Sequence, residues 1–77
     1  MLLMKRKAGQ ELNVFKDGVF QLNVRVMKCG RKVFPNGDTA MKDGTPTTVY
    51  FREENNNAVT VMIDMPKGYR AVRSEQM

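Results

Sequence analysis

An all-β domain is what these 77 residues predict, and three features carry that prediction. Apolar residues recur with a period of two in two long segments. Turn-forming pairs separate the β-rich runs. Helical spacing never persists, and no segment carries helix caps on both sides. The expected architecture is a small five-stranded antiparallel sheet or barrel with an added hairpin, all in one domain spanning residues 1–77.

Taken in order, the first strand opens at Met1-Leu2-Leu3-Met4 and ends in Lys5-Arg6-Lys7. Neighbours on an extended strand alternate, so Lys5 and Lys7 share one face and Arg6 takes the other. The second strand, Leu12–Lys16, runs into Asp17-Gly18, a strong two-residue hairpin signal. The third follows at Val19–Lys28, where Phe20, Leu22, Val24 and Val26 alternate with Gln21, Asn23 and Arg25. That alternation describes one face in the core and one in water. Asn36-Gly37 and Asp43-Gly44 then punctuate a middle stretch at about 31–57, which includes the β-branched and aromatic run Thr47–Arg52. A hairpin centred on Asp43-Gly44 is the expectation here, because long structureless loops are uncommon in compact domains. Asn55-Asn56-Asn57 forms a loop tip before the strand Val59–Met65, where Val59, Val61, Ile63 and Met65 alternate with polar residues. Pro66 ends that strand, and Lys67-Gly68 turns into the last one, Tyr69–Arg73.

A chain of this length buries only roughly 60% of the surface it exposes when unfolded, so its core is marginal. Cys29 is the single cysteine and histidine is absent, which excludes an internal disulfide and a zinc cluster of the usual kind. Association with another subunit is the remaining way to make up the deficit. Nucleophilic catalysis lacks a histidine base, and the carboxylates sit at turns such as Asp17 and Asp43 or in the Glu53-Glu54 loop. No glycine run precedes a helix to cradle phosphate. The chain therefore reads as a non-enzyme without a cofactor. Cys29 lies near Lys28, Arg31 and Lys32, and the bland account of a solitary cysteine is preferred. Leu2-Leu3-Met4 is too short for a signal-peptide core, and no apolar run reaches membrane-spanning length; a cytoplasmic, membrane-free protein is expected.

The net charge of +5 is unevenly placed. Residues 1–37 carry eight basic and two acidic side chains, a balance of +6. Residues 38–66 carry two and five, a balance of −3, and residues 67–77 three and one, a balance of +2. The two ends are basic and the middle is acidic. If the first and last strands meet, a continuous basic edge results, which suits a polyanion.

Those same two ends resemble the carbon storage regulator (CsrA/RsmA) family. Met1–Leu12 is similar to its opening M-L-x-L-x-R-[KR]-x-G-E, and Val59–Glu75 to its V-R-I-G-I-x-A-P-K-x-V-x-V-x-R-x-E. The departures are Gln10 for the acidic residue after Gly9, Met62 for a glycine, Met65 for an alanine, and the insertion at about 31–57. The family's C-terminal helix has no counterpart in the residues after Arg73. The resemblance implies an intertwined homodimer in which the first strand of one chain pairs with the last of the other. It implies recognition of GGA-type hairpin loops in an mRNA leader or a small RNA, and repression of translation. Carried over by position, it places Met4, Lys5, Arg6 and Lys7 on one side of the RNA site. Met65, Pro66, Tyr69, Ala71 and Arg73 form the other, with Arg70 adding charge at the same edge. Two alternatives stand beside it. One is an interaction protein of the same fold that forms mixed dimers with a family member, or whose acidic middle segment acts as an antagonist arm. The other is a small single-stranded DNA-binding protein with an OB-like barrel, using Phe34, Tyr50, Phe51 and Tyr69 for stacking.

Overall fold

Seven strands build the chain in a computed structural model that describes residues 1–37 and 40–76. They are β1 (Leu2–Lys7), β2 (Glu11–Lys16), β3 (Val19–Cys29), β4 (Lys32–Gly37), β5 (Thr48–Glu53), β6 (Ala58–Asp64) and β7 (Tyr69–Arg73), followed by a short 3₁₀ turn at Ser74–Gln76. All pairings are antiparallel and fall into two sheets, ordered β1-β6-β5 and β4-β3-β2-β7. The all-β class is as the alternation predicts. The five-stranded sheet or barrel is corrected: the strands form two open layers and no closed barrel.

Period-two patterning sorts most side chains as expected, although Phe20 is only half-buried and the polar Gln21 and Thr60 are buried. Leu22, Val24 and Val26 of β3 are buried and meet Leu12 and Val14 of β2. Val59, Val61 and Ile63 of β6 are fully buried in the same core, with Met65 partly buried against it. Asp17 and Gly18 both have positive φ, at 52° and 79°, which is the two-residue turn whose twist matches the flanking strands. A register shift at Val14/Phe15 bends β2 beside that turn, and Phe15 and Phe20 meet edge to face with centroids 5.9 Å apart.

The insertion is where expectation and structure part. It adds one strand to the rim of each sheet instead of a hairpin of its own. Asn36-Gly37, expected as a turn, is the end of β4, with Gly37 opposite Val24. Cys29 and Lys32 pair across a two-residue turn in which Gly30 has φ 61°, so β4 folds straight back on β3. β5 is joined to β6 by residues 54–57, where Asn56 and Asn57 take φ values of 63° and 58°. Both connections are short, and short closures cost less entropy than bringing β4 to β5 across the middle. The Asp43-Gly44 turn does form, with the Met41 amide donating to the Thr45 carbonyl at 2.9 Å, but among the described residues it closes only the single bridge Ala40–Pro46. Pro46 has no amide hydrogen to extend a ladder there. Positions 38 and 39 of the insertion lie outside the described residues.

The insertion loop still contributes to packing. Met41 is buried in the core, and the Lys42 and Asp43 amides donate to the backbone and side-chain oxygens of Gln21. Those bonds explain why Gln21, on the polar side of β3, is buried. The sandwich keeps two open sides. β4 and β5 flank a groove of about 340 Å³ lined by Val24, Pro35, Val49 and Phe51 among others, while β1 and β7 flank the opposite side.

Candidate nucleic-acid interface

The edge strands β1 and β7 set the geometry of the basic side. Among the described residues β1 pairs only with β6 and β7 only with β2, so each has one unpaired edge. Between them lies an open cleft of about 420 Å³ lined by Lys5, Arg6, Lys7, Gln10, Arg73 and Glu75. The two basic termini of the chain therefore do come together. Lys5 and Lys7 are exposed and share the outer face of β1, and Arg73 is exposed at the end of β7.

Arg6 is placed differently from its neighbours. Its even position on β1 turns it inward, and it is only 5% exposed. Its guanidinium donates from Nη2 and Nη1 to the two carboxylate oxygens of Glu75 at 2.7 and 3.0 Å. It also donates to the Glu11 carbonyl at 3.0 Å and the Lys5 carbonyl at 3.2 Å. A bidentate pair of this kind holds both partners ionised. The Arg6 hydrogen bonds, helped by Glu75's own backbone amide and by the nearby Arg73 charge, lower the Glu75 carboxyl from 4.5 to about 2. Arg6 thus serves the joint between β1 and the C-terminal turn and presents no free charge to a ligand. Gln10, where the resembled motif has an acid, accepts the Lys7 amide at 2.8 Å and closes the turn between β1 and β2.

The remaining expected site residues separate along the two strands. Met4 is half-buried and packs on the core with Met65 and Ala71. Pro66 is exposed in the connection leaving β6, beyond Ile63, which pairs with Leu2 at the far end of β1 from Lys7. Arg70 is exposed opposite Phe15. Tyr69 begins β7 opposite Lys16, four residues before Arg73 and so roughly 13 Å from it. Its hydroxyl donates to the Asp43 carboxylate and lies 3.1 Å from the Thr45 hydroxyl, and the Lys16 ammonium stands 5.1 Å from its ring centre. The Tyr69 bond, then the Thr45 amide and hydroxyl, lower the Asp43 carboxyl from 3.8 to about 2. Tyr69 is accordingly bound by the insertion loop, at the opposite end of the edge from the Lys5–Lys7–Arg73 group.

Two residues that matter here were not among the expected site residues. Glu75 neutralises Arg6, and Asp43 occupies Tyr69. For Glu75 a signal existed: a carboxylate two residues past Arg73 sits where the last strand must end beside the first. For Asp43 there was none beyond its turn position. Among the described residues, no helix is long and apolar enough to cross a membrane, and no cluster of three or more Asp, Glu, His or Cys is placed to hold a metal ion. No protein-family model, curated protein or solved structure matches the chain.

Proposed function

We propose that the chain is a dimeric RNA-binding regulator of the carbon storage regulator type, which recognises GGA-type hairpin loops in an mRNA leader or small RNA and represses translation. The observation that supports this reading is the pair of unpaired edges, β1 and β7, on one side of the sandwich, with Lys5, Lys7 and Arg73 around a common cleft. Open sheet edges invite pairing with another chain. Joining β1 of one subunit to β7 of the next closes both and sets the Lys5–Lys7 stretch beside the partner's last strand, twice per dimer. The added apolar contact also answers the small core. Loop phosphates are held by the three cations, while splayed bases rest on the apolar and guanidinium surfaces beside them.

A gel shift with GGA-loop and scrambled-loop hairpins, with mass measured by light scattering, tests it. The expected result is preference for GGA and a mass twice 8.8 kDa. Equal binding of the two loops, or of poly-dT, refutes the loop reading and favours a general single-strand binder. The interaction-protein alternative draws support from the engagement of Arg6 by Glu75 and of Tyr69 by Asp43, which leaves fewer free site groups. Mixing with a family member and observing mixed dimers without GGA binding would select it.

A further inference from the structure

We propose that the outer face of the β1-β6-β5 sheet is a second nucleic-acid surface, a platform on which single-stranded RNA flanking the recognised loop stacks; this rests on the RNA-binding reading above. Strand register builds the platform. Leu3 of β1, Met62 of β6 and Tyr50 of β5 are direct cross-strand neighbours, and Lys5, Thr60 and Arg52 form the next row on the same face. The opposite face of these strands carries Leu2, Met4, Val61 and Ile63 and packs on the core. A sheet with one face on the core normally shows a polar outer face. Here the outer row is apolar and exposed at both ends, Leu3 being 60% and Tyr50 49% accessible, with Met62 half-buried between them.

The charges around that row select the ligand. Lys5 and Lys7 follow Leu3 on the same face of β1 and have no ion-pair partner among the described residues. Arg52 is 3.0 Å from Glu54, whose same oxygen also accepts the Thr60 hydroxyl at 2.9 Å, so that carboxylate is already engaged. The other carboxylate of this face, Asp64, lies opposite Thr48 at the apolar end. Phosphates are therefore favoured along the Lys5–Lys7 side and bases over Tyr50, Met62 and Leu3. An aromatic ring with apolar neighbours beside unpaired cations is the chemistry that binds single strands with little sequence preference. Lys5 and Lys7 also line the cleft with Arg73, so RNA leaving the loop site steps directly onto the face. Tyr50 and Arg52 belong to the insertion, which gives that segment a role beyond completing a sheet.

The test is fluorescence anisotropy with three probes: a blunt GGA hairpin, the same hairpin with a single-stranded uridine extension, and the extension alone. Tyr50→Ala and Tyr50→Phe are compared with the parent chain, with thermal melts confirming that both fold. The extension is expected to tighten binding by about tenfold. Tyr50→Ala loses that gain and leaves the blunt hairpin unchanged, and Tyr50→Phe retains it. No gain from the extension, or a gain that survives Tyr50→Ala, overturns the proposal. So does Tyr50-dependent sedimentation with phosphatidylglycerol vesicles when the extension has no effect. A blunt hairpin that fails to bind, beside Tyr50-dependent binding of the extension alone, refutes loop recognition and keeps the platform.

Discussion

Replacing Arg73 with alanine is expected to flatten the salt dependence of binding to the blunt GGA hairpin by a definite amount. Among the described residues, Lys5, Lys7 and Arg73 are the cleft's cations without an ion-pair partner, whereas Arg6 places its donors on Glu75 and two backbone carbonyls. Each phosphate neutralised on a single strand contributes about 0.7 to the slope of log K against log salt. Three contacts per site give a slope of about −2, so raising salt from about 50 to about 200 mM weakens parent binding about 20-fold. Arg73→Ala leaves two contacts and a loss of about 7-fold over the same range. Glu75→Gln moves the other way. It removes the carboxylate that neutralises Arg6, and a fourth contact steepens the loss to about 50-fold. Anisotropy titrations across that salt range, with each variant's fold checked by its melt, read the three slopes. An Arg73→Ala slope equal to the parent's would refute the assignment of Arg73 to the site. A Glu75→Gln slope no steeper than the parent's would refute the account of Arg6 as a neutralised charge.

Other expectations concern the fold. Gly37→Ala places a β-carbon 2.9 Å from the Val24 α-carbon and closer still to the Asn23 carbonyl oxygen, so β4 must part from β3. A loss of about 2 kcal/mol in urea unfolding is expected, and an unchanged midpoint would refute the close approach. Leu22→Ala empties a fully buried site. It should cost about 3 kcal/mol and lower Tm by roughly 15 °C, whereas a loss below about 1 kcal/mol would mean Leu22 is not central to the core. Stability should also fall with acid. Hydrogen bonds hold the Asp43 and Glu75 carboxyls at about 2 in the folded chain, below their ordinary 3.8 and 4.5. Unfolding therefore takes up protons between those limits; the stabilisation is present above the ordinary values and lost as pH falls toward about 2. Melts across this window should show a decline that Tyr69→Phe and Glu75→Gln each make shallower, and a decline unaltered in both variants would refute it.

Particular elements show how far the chain was legible. The hairpin at Asp17-Gly18 and the buried faces of β3 and β6 follow from local signals, a turn pair and a period of two. The Gly30-Arg31 turn is local too, yet β4 lies within the stretch expected to fold as a hairpin about Asp43-Gly44, and Pro35 stands inside it. Proline is tolerated there because β4 is an edge strand whose outer side needs no donor. Asp43-Gly44 misled in the opposite sense: the turn forms, but the segments on either side of it join different sheets. At the site, alternation on β1 correctly separates Lys5 and Lys7 from Arg6, without telling that the Arg6 face is the buried one. That depends on Glu75, 69 residues away.

By itself, then, the amino-acid order determined the β class, the main strands and the presence of basic residues at both ends. Each of these is written in neighbouring positions, through steric preference at turns and the two-residue period of the pleat. Tertiary structure alone decided that the strands split into two open layers and that the insertion extends both. It also decided that Arg6 and Tyr69 are engaged by the chain's own carboxylates while Lys5, Lys7 and Arg73 have no ion-pair partner among the described residues. The physical reason is that alternation specifies which face of a strand is buried but not which edge pairs with which. Edge pairing and ion pairing are settled by contacts between residues far apart in the chain, where loop closure, packing and charge act together.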